Sequence, residues 1–112
     1  MTETLWVYVT AADRAEATRI GRAAVEERLA ACANILPGHT AIYRWQGTIE
    51  LAEEAALVLK TTAARFEALR ARIRALSSYA TPCILGLPVA TGDEDFLAWI
   101  RDQVGEGGAP PG

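Results

Sequence analysis

Residues 28–61 read RLAACANILPGHTAIYRWQGTIELAEEAALVLKT. The stretch leaves a helix, passes a Pro37-Gly38 break and rises to the aromatic-rich tip Tyr43-Arg44-Trp45-Gln46-Gly47. It then returns to Lys60, the one lysine in the chain. Two apolar, β-prone segments joined by a short Gly-containing turn predict a hairpin. One arm runs Ala33–Leu36 and Thr40–Trp45, the other Thr48–Thr61, both longer than the usual five or six residues of a strand. Proline donates no ladder hydrogen bond, so Pro37-Gly38 marks a bend or a bulge. A chain of 112 residues has no core deep enough to bury such a hairpin along its whole length.

Upstream, Leu5–Thr10 (LWVYVT) is rich in β-branched and aromatic residues and predicts a strand. Leu5, Val7 and Val9 share one face, Trp6 and Tyr8 the other, and both faces are apolar. Asp13 with Glu16 three residues on suggests a capping-box start to a helix running to about Ala31. Downstream, Thr62 is placed to cap a second helix whose stripe is Phe66, Leu69, Ile73 and Leu76. Thr81–Val89 (TPCILGLPV) predicts a fourth strand, with prolines that suit a sheet edge. Thr91-Gly92-Asp93-Glu94 opens a short last helix carrying Phe96, Trp99, Ile100 and Val104.

The order β-α-β-β-α-β plus a C-terminal helix predicts an α+β, ferredoxin-like (split βαβ) antiparallel sheet with an extended hairpin. Two helices cover one face of such a sheet. The other face, with Trp6, Tyr8 and a fourth strand apolar on both sides, needs a cover too. Self-association is the simplest one, with Trp6, Tyr8, Tyr43 and Trp45 as interface anchors.

Residues 1–104 are expected to form one domain, and residues 105–112 (GEGGAPPG) a disordered tail. The net charge of −3 disfavours a general nucleic-acid binder, and no apolar run approaches the roughly 18 residues of a membrane span. Without a basic start of the secretory kind, the chain is expected to be cytoplasmic, with Cys32 and Cys83 reduced.

The stretches EERLAACANILPG (26–38), YRWQGTIE (43–50), LVLKTT (57–62) and SYATPCILGLPVATGDEDFLAWI (78–100) resemble the CutA family of divalent-cation tolerance proteins. The resemblance covers nearly all of Leu5 to Ile100 in order. It implies a ferredoxin-like subunit in a tight homotrimer, a cytoplasmic location, a link to copper and other divalent-metal tolerance, and no established enzymatic activity. The implied architecture is similar to that of PII signalling proteins, which bind small molecules between subunits. Cys32 occupies the cysteine of the family's AAC stretch. The family's His-Pro-Tyr is Ser77-Ser78-Tyr79 here, its Pro-Glu is Pro82-Cys83, and Val9 stands where some relatives carry a cysteine.

Copper or zinc requires thiolates and imidazoles converging on one point. The chain offers Cys32, Cys83 and His39 without a CxxC or HxxxH spacing, so structural cysteines are the simpler reading. No cofactor is required, and copper or another divalent cation is the candidate if a shared site forms. For a small anion or metabolite at a cleft between subunits, the candidates are Glu50, Lys60, Tyr79 and Trp99. Lys60 is otherwise expected to pair with a carboxylate such as Glu50 on the same face. Catalysis has little support: there is no GxSxG, Walker loop or dinucleotide fingerprint, and the loop after the first strand, Ala11-Ala12-Asp13, is acidic.

Overall fold

The computed structural model describes residues 3–105. The elements follow the expected order: β1 (Thr4–Ala11), α1 (Arg14–Glu26), β2 (Cys32–Trp45), β3 (Thr48–Thr62), α2 (Phe66–Leu76), β4 (Ile84–Pro88) and α3 (Glu94–Gln103). A 3-10 turn at Ala63–Arg65 leads into α2. Every pairing is antiparallel, and the sheet order is β2-β3-β1-β4. Both long connections that cross the sheet are helical, as the split βαβ arrangement requires. Of the expected tail, residues 106–112 lie outside the described residues. Among the described residues, no helix is long and apolar enough to cross a membrane.

Strand alternation sorts the core. Leu5, Val7, Val9 and Ala11 of β1 face α1 and α2 together with Ala55, Leu57 and Leu59 of β3, and all are buried. Ala17, Ile20 and Ala24 of α1 and Leu69 and Ile73 of α2 complete this layer. At Gly21 a Cβ would sit 3.0 Å from Ala33 Cβ and 3.2 Å from Ile35 Cδ1, so α1 lies close on β2 because that position carries no side chain. The third helix packs against β3 and β1, and its Ile100 and the capping residue Val104 form a small second cluster with Ala31.

Four local expectations change. Helix α1 stops at Glu26 rather than near Ala31, because Arg28 takes a left-handed φ of 59°. Leu29 N–H then reaches Ala24 O and Arg28 N–H reaches Val25 O, which is a Schellman ending with arginine in the usual glycine position. A bond from Arg28 Nη1 to Gln103 O, 3.0 Å, fastens this corner to α3. Thr62 does not cap α2 through its side chain; it is fully buried in the last position of β3, and the 3-10 turn intervenes. Strand β4 is confined to Ile84–Pro88, so residues 81–83 run free of the ladder and are available to shape a surface. Lys60 pairs with Asn34 rather than Glu50, as described below.

The hairpin gives the molecule its long axis, 49 Å against 27 and 22 Å. Its arms are 14 and 15 residues, and the register slips once, between Leu36 and His39, where Pro37-Gly38 was expected to bulge. At the tip, Gln46 (φ 50°) and Gly47 (φ 82°) both have positive φ, as a type I′ turn demands. A Cβ at Gly47 would meet no atom within 4 Å, so Gly47→Ala carries only the backbone penalty. We expect it to lower stability by about 1 kcal/mol in urea unfolding.

Candidate functional site

The bulge and the two-residue turn together fix which residues face each other across the hairpin. Counting back from the turn, Tyr43 lies opposite Glu50 and His39 opposite Glu54. His39, Ala41, Tyr43 and Trp45 therefore line the sheet face away from α1 and α2, together with Glu54. The connection from α2 to β4 folds back along this face, and between them lies a groove of about 520 Å3. Tyr43, Trp45 and Glu54 form the hairpin wall; Ser78, Tyr79 and Cys83 form the other, with Thr10 of β1 at the base.

Two carboxylates hold this geometry. Glu54 accepts from the Tyr79 hydroxyl (2.6 Å) on Oε2, and its Oε1 lies 3.3 Å from His39 Nε2. Burial pushes the Tyr79 phenol upward, and the hydrogen bond and charge of Glu54 push it further, so this hydroxyl stays protonated and donating. Glu16, buried at the start of α1, accepts from Ala12 N–H on Oε1 and from Ser78 N–H on Oε2, each at 2.9 Å. Asp13 in turn accepts from Glu16 N–H at 2.8 Å, which is the expected Asp13–Glu16 cap, with Ala12 rather than Asp13 as the returning donor. Glu16 is thus both a helix cap and the tether of the groove's Ser78 wall.

The remaining candidates are scattered. Cys32 opens β2 opposite Lys60, about 23 Å of strand from His39, and three strands across the sheet from Cys83. Cys83 is half-buried in the groove wall, and both cysteines are free thiols. Among the described residues, no three His, Cys, Asp or Glu side chains converge within the one chain as a metal cluster. Lys60 donates to Asn34 Oδ1 at 2.6 Å and lies 5.8 Å from the centre of the Phe96 ring, which stacks on Trp99 at 5.4 Å. Glu50 is ten residues from Lys60 along β3, about 33 Å away, so the two share a face and cannot pair. Of the ligand candidates, Tyr79 alone lies in the groove; Lys60 and Trp99 each approach Phe96 at the opposite end of the sheet, and Glu50 stands near the hairpin tip. Glu54, which joins His39 to Tyr79, is the residue that pattern reading passes over, although counting back from Gln46-Gly47 would have placed it opposite His39.

These features define an α+β protein with a four-stranded antiparallel sheet, three helices and a projecting hairpin. The model of the CutA1 divalent ion tolerance protein family matches residues 5–103, and the chain belongs to that family. It is similar to the divalent-cation tolerance protein CutA of Thermus thermophilus, 46% identical over 99 residues that cover 88% of this chain and 96% of the relative. The corresponding protein of Archaeoglobus fulgidus is 40% identical over the same coverage. Among solved structures, that of the Thermus thermophilus protein superposes with a TM-score of 0.88 at 44% identity, covering 89% of this chain and 97% of that one. CutA1 of Oryza sativa superposes equally well, TM-score 0.88, at 30% identity and 91% and 94% coverage. The family carries the name of divalent-cation tolerance and not of a reaction.

Proposed function

We propose that this chain is a non-catalytic, cytoplasmic homotrimer acting in the cellular response to divalent metal ions, copper among them. The family supports the metal-tolerance role, and the distribution of exposed apolar side chains supports the assembly. Trp6 lies beside Leu87 in register and Tyr8 beside Leu85, so β1 and β4 present one continuous apolar strip. Three of these are substantially exposed: Trp6 at 42%, Leu85 at 57% and Leu87 at 43%. On the hairpin, Ile42 and Leu51 are paired in register and 69% and 67% exposed, with Tyr43 and Trp45 on the reverse face. A monomer rarely leaves so much contiguous apolar surface wet. Neighbouring copies, each offering the same hairpin, supply a matching cover.

Sedimentation equilibrium on the dilute protein tests this. The expected native mass is three times the 12.0 kDa of the chain, unchanged when Cu(II) is added. A folded species of single-chain mass sinks the assembly. Growth of a deletion strain across a copper series tests the physiological half, and growth curves identical to the parent strain would sink it.

A further inference from the structure

We infer that assembly of this chain takes up one proton per subunit: neighbouring copies that cover the hairpin bury the Glu54 carboxylate, and the His39 imidazole beside it becomes charged. The inference rests on the assembly proposed above and adds to it a dependence on pH.

His39, Ala41, Tyr43 and Trp45 share one face of the hairpin with Glu54. Tyr43 and Trp45 are 41% and 46% exposed in the single subunit and belong to the surface that neighbouring copies cover. The Glu54 side chain among them is already only 11% exposed, while His39 keeps 35%. A copy laid over these rings removes the water that still reaches the carboxylate. A carboxylate cut off from water requires a counter-charge. The surrounding groups leave one source for it. Tyr79 donates a neutral hydroxyl at 2.6 Å, and Tyr43 and Cys83 bring no positive charge. Glu16, behind Ser78, and Glu50, opposite Tyr43, are further acids. Glu53 accepts from Thr40 on the reverse face of the hairpin. Arg74 donates to Ala80 O at 3.4 Å, and no lysine or arginine lines the groove.

His39 Nε2, 3.3 Å from Glu54 Oε1, is the group placed to become cationic. With a proton on Nε2 the contact is an ion pair in which N–H donates to Oε1. Among the described residues no third His, Cys, Asp or Glu joins this pair as a metal cluster. A proton held more tightly in the assembly than in the free subunit strengthens assembly at low pH. That gain is lost as pH rises through the point at which the assembled His39 discharges.

His39 is the one histidine in the chain, so its ring signals need no assignment. NMR of the full-length protein labelled with nitrogen-15 histidine should show two protonated ring nitrogens at pH 7.5, where a solvated imidazole is mostly neutral. Glu54→Gln should show the neutral ring at the same pH. Sedimentation in a fixed, sub-denaturing urea concentration gives the protein concentration at which half the chains are assembled. It should be at least tenfold lower at pH 6 than at pH 8, and differ less than twofold in His39→Gln. Should Glu54→Gln fail to fold, the wild-type ring and His39→Gln still decide the matter. A neutral ring in protein of trimer mass overturns the proton linkage and leaves the assembly standing. A pH dependence that survives in His39→Gln overturns the role of His39, and a folded species of single-chain mass overturns assembly and linkage together.

Discussion

Leu57→Ala is expected to lower the free energy of unfolding by about 3–5 kcal/mol, the upper part of the range for buried leucines. Leu57 is 0% exposed on β3, an inner strand, flanked in register by Val9 of β1 and Ile35 of β2. Above it lies Gly21 of α1, where a Cβ would already stand within 3.6 Å of Leu57 Cδ1. The truncated site is boxed in by two hydrogen-bonded strands and a helix held close at a glycine, so little can relax into the cavity. Urea unfolding at fixed subunit concentration measures the loss, because an oligomer's apparent stability depends on concentration. Leu51→Ala is the control: the same chemistry six residues away on β3, at a residue 67% exposed in the subunit. A drop for Leu57→Ala below about 1 kcal/mol would mean that the core between α1 and the sheet is loosely packed.

The contrast between these two leucines shows what a one-dimensional reading can and cannot give. Alternation places Leu51 and Leu57 on the same side of β3, and that is correct. It does not say that the helices cover Leu57 and stop short of Leu51, because their reach toward the hairpin tip depends on where α1 begins, at Arg14 just after β1 ends with Ala11 opposite Ala55. The other end of α1, at the far end of the sheet, is hidden too: Arg28 stops the helix in a left-handed conformation, a role in which glycine is the recognisable signal and arginine is not. The hairpin, by contrast, was legible in detail. Gln46-Gly47 turns, Pro37-Gly38 shifts the register once, and the strand order follows from the element order. Sheet-edge placement of β4 was legible too, from its two prolines.

The groove was only partly legible, for a related reason. Tyr79 was singled out, yet its partner Glu54 was not, since a glutamate alternating with alanines on a strand looks like any solvated position. Lys60 and Glu50 failed as a pair because sharing a face carries no information about separation along the strand. Proximity across a sheet comes from register, and register was available here from the two-residue turn. What no local pattern contains is the return of residues 77–83 over the hairpin. It depends on Glu16, sixty-two residues earlier, accepting the Ser78 N–H.

That contact carries the second large effect. Glu16→Ala is expected to cost about 2–3 kcal/mol, since Ala12 N–H and Ser78 N–H lose a charged acceptor at once. Hydrogen–deuterium exchange should locate the damage: protection at Ser78 and Ala12 should fall while Leu57 keeps its own. The charge adds a pH signature. Burial alone would raise the Glu16 carboxyl, and Asp13 works in the same direction, but the hydrogen bonds from Ala12 and Ser78 outweigh both and leave it below its ordinary value of 4.5. A carboxyl whose folded value is depressed contributes stability that is fully present above its unfolded value, and this is lost as pH falls through the folded value. Wild type and Glu16→Gln should therefore differ most near neutrality and converge in acid, the gap closing below about pH 4.5. The glutamine keeps the size of the side chain but turns one acceptor into a donor facing a donor, so its deficit at pH 7 isolates the carboxylate. A gap that stays constant from pH 7 to pH 3 would mean that the Glu16 charge is not what fastens the groove wall to α1.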